Sequence, residues 1–170
     1  MVAFSPMLLL FVAIAASPQQ PPPLTFFGFR AGMAMAEARS LITKLGGSLS
    51  CKKTSDSRLR ECTGSMPFPG LVRPFAVLVS SVRDSVGVMV LSTNIGEGDT
   101  RAWVRALTQD FGKPNYRMDR ATRESWQWIR RGQMLRVVMQ RPGVHLETAV
   151  TLTHGPLLDA LGPPENKKPD

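Results

Sequence analysis

Two cysteines are the residues of this sequence most able to form a covalent link. Cys51 and Cys62 are the only cysteines in 170 residues, and the ten residues between them are polar, with turn formers at 55–57. Strands over 48–53 and 58–63 would form a hairpin in which the two thiols face each other, as a disulfide requires. A metal site, which lacks nearby ligands, and two free thiols remain as alternatives. We favour a disulfide, because an even cysteine count suits an exported protein.

A basic and aromatic group of residues is the second feature with chemical potential. Between Arg101 and Arg141 the chain has ten Lys or Arg residues against three acidic residues. On a strand, two tryptophans that are two residues apart project from one face, together with the arginine that follows at the same spacing. Aromatic and arginine side chains together are typical of interface hot spots. The sequence therefore predicts a partner-binding surface made of four residues: Trp126, Trp128, Arg130 and Arg136. The alternative is that both tryptophans pack beneath a helix as core, with the arginines as a solvated rim.

No arrangement typical of an enzyme occurs in the sequence. It has no nucleophile elbow, no phosphate-binding glycine loop and no helical His and Glu pair. Glu97 and Asp99 lie in a glycine-containing segment, which we interpret as a solvated turn before a helix rather than as a cation site. His145 and His154 read as strand residues. We therefore expect no catalysis, no cofactor and no bound metal.

Two amphipathic helices are expected to position these residues. The first covers residues 34–45, where apolar side chains form one stripe, and a glycine follows it. The second covers residues 100–111, with Asp99 or Thr100 as its N-cap, and it ends at Gly112. Each helix would cover part of a sheet with its apolar stripe.

The rest of the folded sequence reads as strands. Eight segments with β-branched or alternating residues lie between turn signals, at residues 48–53, 58–63, 74–82, 86–92, 115–119, 124–130, 133–141 and 144–153. A helix, a glycine stop and a set of strands thus occur twice in the same order. The sequence predicts an α+β fold of two tandem helix-plus-antiparallel-sheet units, with the helices packed on one face of the sheet.

The N-terminal segment predicts export. No Asp, Glu, Lys or Arg precedes Arg30, and residues 7–16 form an apolar run of ten that ends in small residues. A membrane-spanning helix needs about 20 apolar residues, whereas this run suits a secretory signal peptide. A retained anchor and a buried N-terminal helix are the alternatives. The expected organisation is a signal peptide at 1–16, a proline-rich linker at 17–24, a first unit with the disulfide hairpin at 25–97, a basic second unit at 98–155 and a flexible tail at 156–170.

The segment that opens the first unit resembles a known kind of exported module. Residues 29–46 read FRAGMAMAEARSLITKLG, a Gly-Met entry followed by one helix that ends in Leu-Gly. This is similar to the small outer-membrane-assembly lipoproteins of SmpA/OmlA type and to the β-lactamase inhibitory proteins. In the β-lactamase inhibitory proteins, a cysteine pair also follows the first helix. Ala34 stands where a Thr cap is usual, and no lipidated cysteine is present. The resemblance covers residues 29–64 and implies the tandem fold and export, without the inhibitory activity.

The predicted function is that of an exported, non-catalytic interaction module, periplasmic or secreted, that is not lipid-anchored through a cysteine. The net charge of +8 favours an acidic protein or an anionic envelope component as partner, and it also fits a membrane surface. Export argues against nucleic acid, although a basic, aromatic sheet can bind single strands. The alternative function is a structural accessory subunit of a membrane or envelope complex, held by an uncleaved N-terminal segment.

Overall fold

Strands dominate the structure, a computed structural model that describes residues 21–141 and 146–162. The predicted signal peptide, His145 and the end of the predicted tail lie outside these ranges. Within them the elements are, in chain order, α1 (Met35–Lys44), β1 (Ser48–Lys53), β2 (Leu59–Met66), β3 (Phe75–Val82), β4 (Ser85–Thr93), α2 (Glu97–Phe111), β5 (Tyr116–Arg120), β6 (Arg123–Arg130), β7 (Gln133–Gln140), β8 (Glu147–His154) and α3 (Gly155–Asp159).

The eight strands form one antiparallel sheet, in the order β1-β2-β3-β4-β8-β7-β6-β5. Tight turns join several neighbours, and the β3–β4 hairpin has Arg83 and Asp84 at φ 47° and 64°, the positive values that a two-residue hairpin requires. At the centre, β4 pairs with β8, from Val88 opposite Thr153 to Thr93 opposite Thr148. The sheet therefore continues without interruption from the first group of strands into the second.

The predicted fold class, two tandem helix-plus-antiparallel-sheet units, is wrong. The described residues are 46% strand and 22% helix, so this is a sheet-dominated fold with three small helices. If the two groups of strands were separate units, β4 and β8 would each expose a row of unpaired backbone groups. Their pairing satisfies those groups in one sheet. The order of elements along the chain does not reveal this pairing, which joins strands far apart in sequence.

The first helix forms as its apolar stripe predicts. Met35, Ala38 and Ile42 are buried on one side of α1, which runs one residue shorter at each end than the predicted helix. Ala34 occupies the N-cap position and its side chain makes no cap hydrogen bond. Burial of the stripe against the sheet, rather than capping, therefore stabilises this helix.

The second helix begins earlier than predicted. It starts at Glu97, so Glu97 and Asp99 belong to its first turn and not to a solvated turn before it. Negative charge is favourable there, because the first amide groups of a helix carry partial positive charge. Thr100 is buried within the helix, and its hydroxyl lies 2.6 Å from that of Thr148 on β8. Gly112, at φ 81°, ends the helix as predicted.

An extended segment ahead of α1 supplies a part of the core that the sequence analysis did not predict. A tight turn joins the backbones of Phe26 and Phe29 through two hydrogen bonds of 2.9 and 3.0 Å. The ring of Phe26 also meets Trp103 of α2 edge to face, with ring centroids 5.3 Å apart. Five apolar side chains of the segment are buried: Leu24, Phe26, Phe29, Ala31 and Met33. The packed chain thus begins at Leu24, inside the predicted linker.

The described part of the predicted flexible tail at 156–170 contacts the rest of the fold. His154 caps the start of the short helix α3, where its Nδ1 accepts a hydrogen bond of 3.2 Å from the backbone N–H of Leu157. Nη1 of Arg58 donates a bond of 3.1 Å to the carbonyl of Leu161. Residues 155–162 are therefore tied to the rest of the fold, and residues 163–170 lie outside the described part.

Candidate binding surface

Strand register sorts the side chains of the sheet onto two faces. We call the first the covered face, because α1, α2 and residues 24–33 contribute to the core on that side. One row of directly paired residues on it is buried throughout: Cys62, Val79, Met89, Leu152, Leu135 and Trp128. Side chains at the adjacent position on each strand point to the opposite face of the sheet. We call that side the open face, and its central row is Leu78, Val90, Thr151, Arg136, Gln127 and Tyr116.

Trp126 and Trp128 share one face of β6, as their spacing predicts, but it is the covered face. Their side chains are only 4% and 2% exposed. The indole N–H of Trp128 donates a hydrogen bond of 2.8 Å to the carbonyl of Gly112, at the end of α2. Both rings lie in the core, where a partner cannot reach them. This corrects the predicted partner-binding surface for these two residues and agrees with the core alternative.

Arg130 lies beside the tryptophans and holds the end of α2. Its Nη2 donates a 3.1 Å hydrogen bond to the carbonyl of Phe111, and its guanidinium lies 5.7 Å from the centroid of that ring. Nη1 donates a second bond of 3.1 Å, to the carbonyl of Pro22. The last carbonyls of a helix lack partners within it, and a cation satisfies them well. Arg130 therefore links α2 to the segment ahead of the fold, and we do not include it in the binding surface.

Arg136 is the one predicted partner-binding residue that lies on the open face. It projects from β7 between Thr151 of β8 and Gln127 of β6, in the middle of the central row. The residue is half-buried, and its Nε has no hydrogen-bond partner in residues 21–141 and 146–162. The structure thus separates Arg136 from the other three residues of the predicted set.

Apolar side chains lie on the same open face as this arginine: Ile129 on the adjacent strand β6, Tyr116 two strands away on β5 and Leu78 three strands away on β3. Leu78, Tyr116 and Ile129 are 45%, 50% and 51% exposed, and they are three of the five large apolar residues exposed in the described part of the chain. Val90 lies in the same central row and is half-buried. The sequence analysis did not predict this group, because a strand apolar on both faces does not show which face will be covered. The available signal was Ile129, which alternates with Trp128 on β6.

The acidic residues of the basic region point away from the open face. Glu124 pairs in register with buried Met139, on the covered side, and lies 2.8 Å from Arg101. Asp119 is paired in turn with Glu124 and lies 3.3 Å from Arg117. On the open face of β5–β8 the charged residues are Arg120, Arg123, Arg136 and Glu147. Strand alternation therefore leaves this part of the open face positively charged.

A chain of ion pairs holds the start of α2 against the sheet. Arg101 contacts both Glu97, at 2.9 Å, and Glu124, and Arg141 also pairs with Glu97. The hydrogen bond from Arg101 lowers the pKa of the Glu97 carboxyl below its usual value, with further lowering by the nearby guanidinium charges. The same bond raises the pKa of Arg101. These groups bind each other, so they serve the fold rather than a ligand.

The predicted disulfide between Cys51 and Cys62 is confirmed. The two residues are directly opposite each other in the β1–β2 pair, and neither thiol is free. Cys62 is buried on the covered face, and Nη2 of Arg39 lies 3.1 Å from the sulfur of Cys51. The bridge joins β1, the edge strand of the sheet, to β2. Because β1 has a neighbouring strand on one side only, the disulfide adds a covalent link to the strand that has fewer backbone partners.

None of the helices in residues 21–141 and 146–162 is long and apolar enough to cross a membrane. Across the same two ranges, no group of three or more His, Cys, Asp or Glu residues is arranged to hold a metal ion.

Comparison of the chain with protein-family models, curated proteins and solved structures found no match. The resemblance over residues 29–64 therefore stays a prediction.

Proposed function

We propose that this protein is an exported, non-catalytic binding module whose open face contacts a partner protein. The observation that carries the proposal is the difference between the two faces of the sheet. One face is packed under helices, whereas the other presents Leu78, Tyr116 and Ile129 at about half exposure. Single exposed apolar residues are ordinary, but three of them on one face of a sheet, together with a half-buried arginine, favour an interaction site.

Export is supported by two independent features. The apolar run at residues 7–16 is typical of a secretory signal peptide. The Cys51–Cys62 disulfide is typical of an oxidising compartment such as the periplasm or the extracellular space.

The experiment is affinity capture from the native host with a tagged, exported protein. A double variant, Leu78→Lys with Ile129→Lys, adds charge to the apolar part of the open face. The matched control is Val72→Lys, because Val72 is fully exposed on the β2–β3 loop. We expect the wild type and the control to retain the same partner and the double variant to lose it. Equal capture by all three proteins would contradict the proposal.

The accessory-subunit function differs in the fate of the N-terminal segment. Mass spectrometry of the purified protein decides between the two: a mature N-terminus near Ala16 or Ser17 supports a released module. An intact Met1, with the protein recovered in the membrane fraction, supports a subunit held by its own N-terminal segment.

A further inference from the structure

The surroundings of Arg136 on the open face contain no negative charge. Its directly paired neighbours are Thr151 and Gln127, and its neighbours along β7 are Met134 and Val138. No same-face neighbour on β6, β7 or β8, out to two residues, is acidic. A half-buried guanidinium ordinarily has a carboxylate or a carbonyl as partner.

Two buried polar atoms near this position lack hydrogen-bond partners in the described part of the chain. One is Nε of Arg136 and the other is Oγ of Ser125, a diagonal neighbour on β6 that is only 1% exposed. Buried polar atoms are paired in the great majority of cases, so an unpaired one needs an explanation. Neither atom is exposed to solvent, and the terminal nitrogens Nη1 and Nη2 of Arg136 are not among the buried unpaired atoms of the described residues. Those two nitrogens are therefore the part of the guanidinium that a group of a partner can reach.

We propose that Arg136 binds a carboxylate, an Asp or Glu side chain of the partner protein, on the open face. This rests on the proposed function and names the group that the surface recognises. Arg136 supplies the N–H donors of Nη1 and Nη2, while Ile129 and Tyr116, on the neighbouring strands β6 and β5, contact apolar side chains of the partner. The arginine sets specificity, because a partner without an acid at that position leaves the guanidinium buried and unpaired.

A protein fits this surface better than an extended polyanion. An extended polyanion is held by many exposed cations along its length and gains little from half-exposed Leu and Ile. Around Arg136 the surface is instead mixed, with Thr151 and Gln127 directly beside it, Met134 and Val138 along its own strand, and Arg120 and Arg123 further along β5 and β6. An arginine beside aromatic and apolar side chains is common at protein–protein hot spots.

The test uses a phage-displayed library of random dodecapeptides, selected against the full mature protein. Selected peptides are synthesised, and their Kd values are measured for the wild type and for Arg136→Gln and Arg136→Lys. The matched control is Arg123→Gln, because Arg123 is an exposed arginine on the same face. Circular dichroism and a free-thiol assay establish that each variant retains the fold and the disulfide.

We expect the selected peptides to carry an Asp or Glu flanked by apolar residues. Arg136→Gln should weaken their binding by about 30-fold or more, because it removes one partner of a desolvated charge pair. Arg136→Lys should fall between the wild type and Arg136→Gln, since a lysine keeps the charge without the fork of donors. Replacing the acid of the peptide by Asn or Gln should reproduce the loss, and that loss should vanish in Arg136→Gln. Arg123→Gln should change Kd by less than about threefold.

Several results would overturn the proposal. One is selection of peptides without an acid, or of no peptide whose binding depends on Arg136. A second is binding to phosphatidylglycerol vesicles, but not to peptides, that requires Arg136. A third is a large gain in peptide affinity when residues 163–170 are deleted, with competition by a synthetic 163–170 peptide, which would make the chain's own terminus the occupant.

Failure of this inference is distinguishable from failure of the proposed function. If Leu78→Lys with Ile129→Lys abolishes peptide binding while Arg136→Gln leaves it unchanged, the open face binds a partner without a carboxylate contact. If neither change affects binding, the open face is not the binding surface at all.

Discussion

The two faces of the sheet are formed by the same eight strands but differ in what covers them. On the covered face, large side chains such as Trp128 and Leu135 are buried, and the polar atom of Trp128 is paired with a backbone carbonyl. On the open face, Leu78 and Ile129 are about half exposed, and Nε of Arg136 has no partner in the described ranges. The covered face also holds two buried polar atoms without partners in the described ranges, Oγ of Ser81 and Oε2 of Glu124. The two faces therefore differ in what they expose: the covered face is packed, whereas the open face presents apolar side chains at about half exposure.

Two arginines of the same basic region show this difference most directly. Arg130 follows Trp128 on the covered side, where two carbonyl groups accept its hydrogen bonds. Arg136 is one strand away, on the other side of the sheet, without such bonds among the described residues. Charge alone therefore does not identify a candidate binding residue. Two further facts are needed: which face of the sheet the side chain lies on, and whether groups of the same chain already accept its hydrogen bonds.

The largest expected effect is on stability, from the core of the covered face. Trp128→Ala should lower the free energy of unfolding by about 3–5 kcal/mol, since it leaves a large cavity and removes the bond to Gly112. Its open-face neighbour Ile129, changed to Ala, should cost no more than about 0.5 kcal/mol. Urea denaturation of both variants checks this. Similar losses would show that the open face is also packed.

The disulfide should have the next largest effect. The double variant Cys51→Ala with Cys62→Ala should lose about 3 kcal/mol, because a loop of this length is no longer closed in the unfolded chain. The matched control is Ser50→Ala with Thr63→Ala, the adjacent cross-strand pair, which points to the open face. It should change the free energy of unfolding, measured by urea denaturation, by less than about 1 kcal/mol. An equal loss in the control would assign the effect to strand pairing rather than to the bridge.

The two arginines should respond in opposite ways to removal of their charge. Arg130→Met should lower the free energy of unfolding by about 1–2 kcal/mol, because two carbonyl groups lose a charged donor. Arg136→Met should leave it unchanged or raise it by up to about 1 kcal/mol, since a half-buried cation without a partner is replaced by an apolar side chain. Thermal and urea unfolding of both variants measure the difference. A large loss in Arg136→Met would show that the fold itself needs this charge.

The smallest effect concerns pH and the ion pairs at the start of α2. The lowered pKa of Glu97 means that the ionised carboxylate stabilises the folded state above its ordinary pKa. That contribution is lost as the pH falls through the lowered value. Glu97→Gln should therefore unfold at slightly lower urea than the wild type at pH 7, and the gap should close in acid. Asp110→Asn is the control, because Asp110 forms no ion pair in the described residues. If the difference in urea midpoint between Glu97→Gln and the wild type did not change with pH, the ion pairs of Glu97 would not contribute to stability.

Local features of this fold were predictable from sequence, and long-range ones were not. The hairpin with Cys51 opposite Cys62, the turn at Arg83 and Asp84 and the stripe of α1 each depend on residues close in the chain. The pairing of β4 with β8 joins segments about sixty residues apart, and no local pattern specifies it. The same is true of residues 24–33, whose burial depends on the helices they meet.

The candidate site was predictable to the same extent. Alternation on β6 correctly places Trp126 and Trp128 on one face, but which face is covered follows only from the position of α2. Strand β3 is apolar on both sides, so its sequence does not show that Leu78 is exposed while Val79 is buried. A sheet face can contact a partner only where no other segment of the chain covers it, and which segments cover it depends on the whole fold.

The central claim is that Arg136 binds a partner and Arg130 does not. The most direct test compares the Kd of one selected acidic peptide for the wild type, Arg136→Gln and Arg130→Gln. We predict a loss of about 30-fold or more for Arg136→Gln and a change within about threefold for folded Arg130→Gln. Unchanged affinity in Arg136→Gln, or a larger loss in Arg130→Gln, would contradict the assignment of the open face.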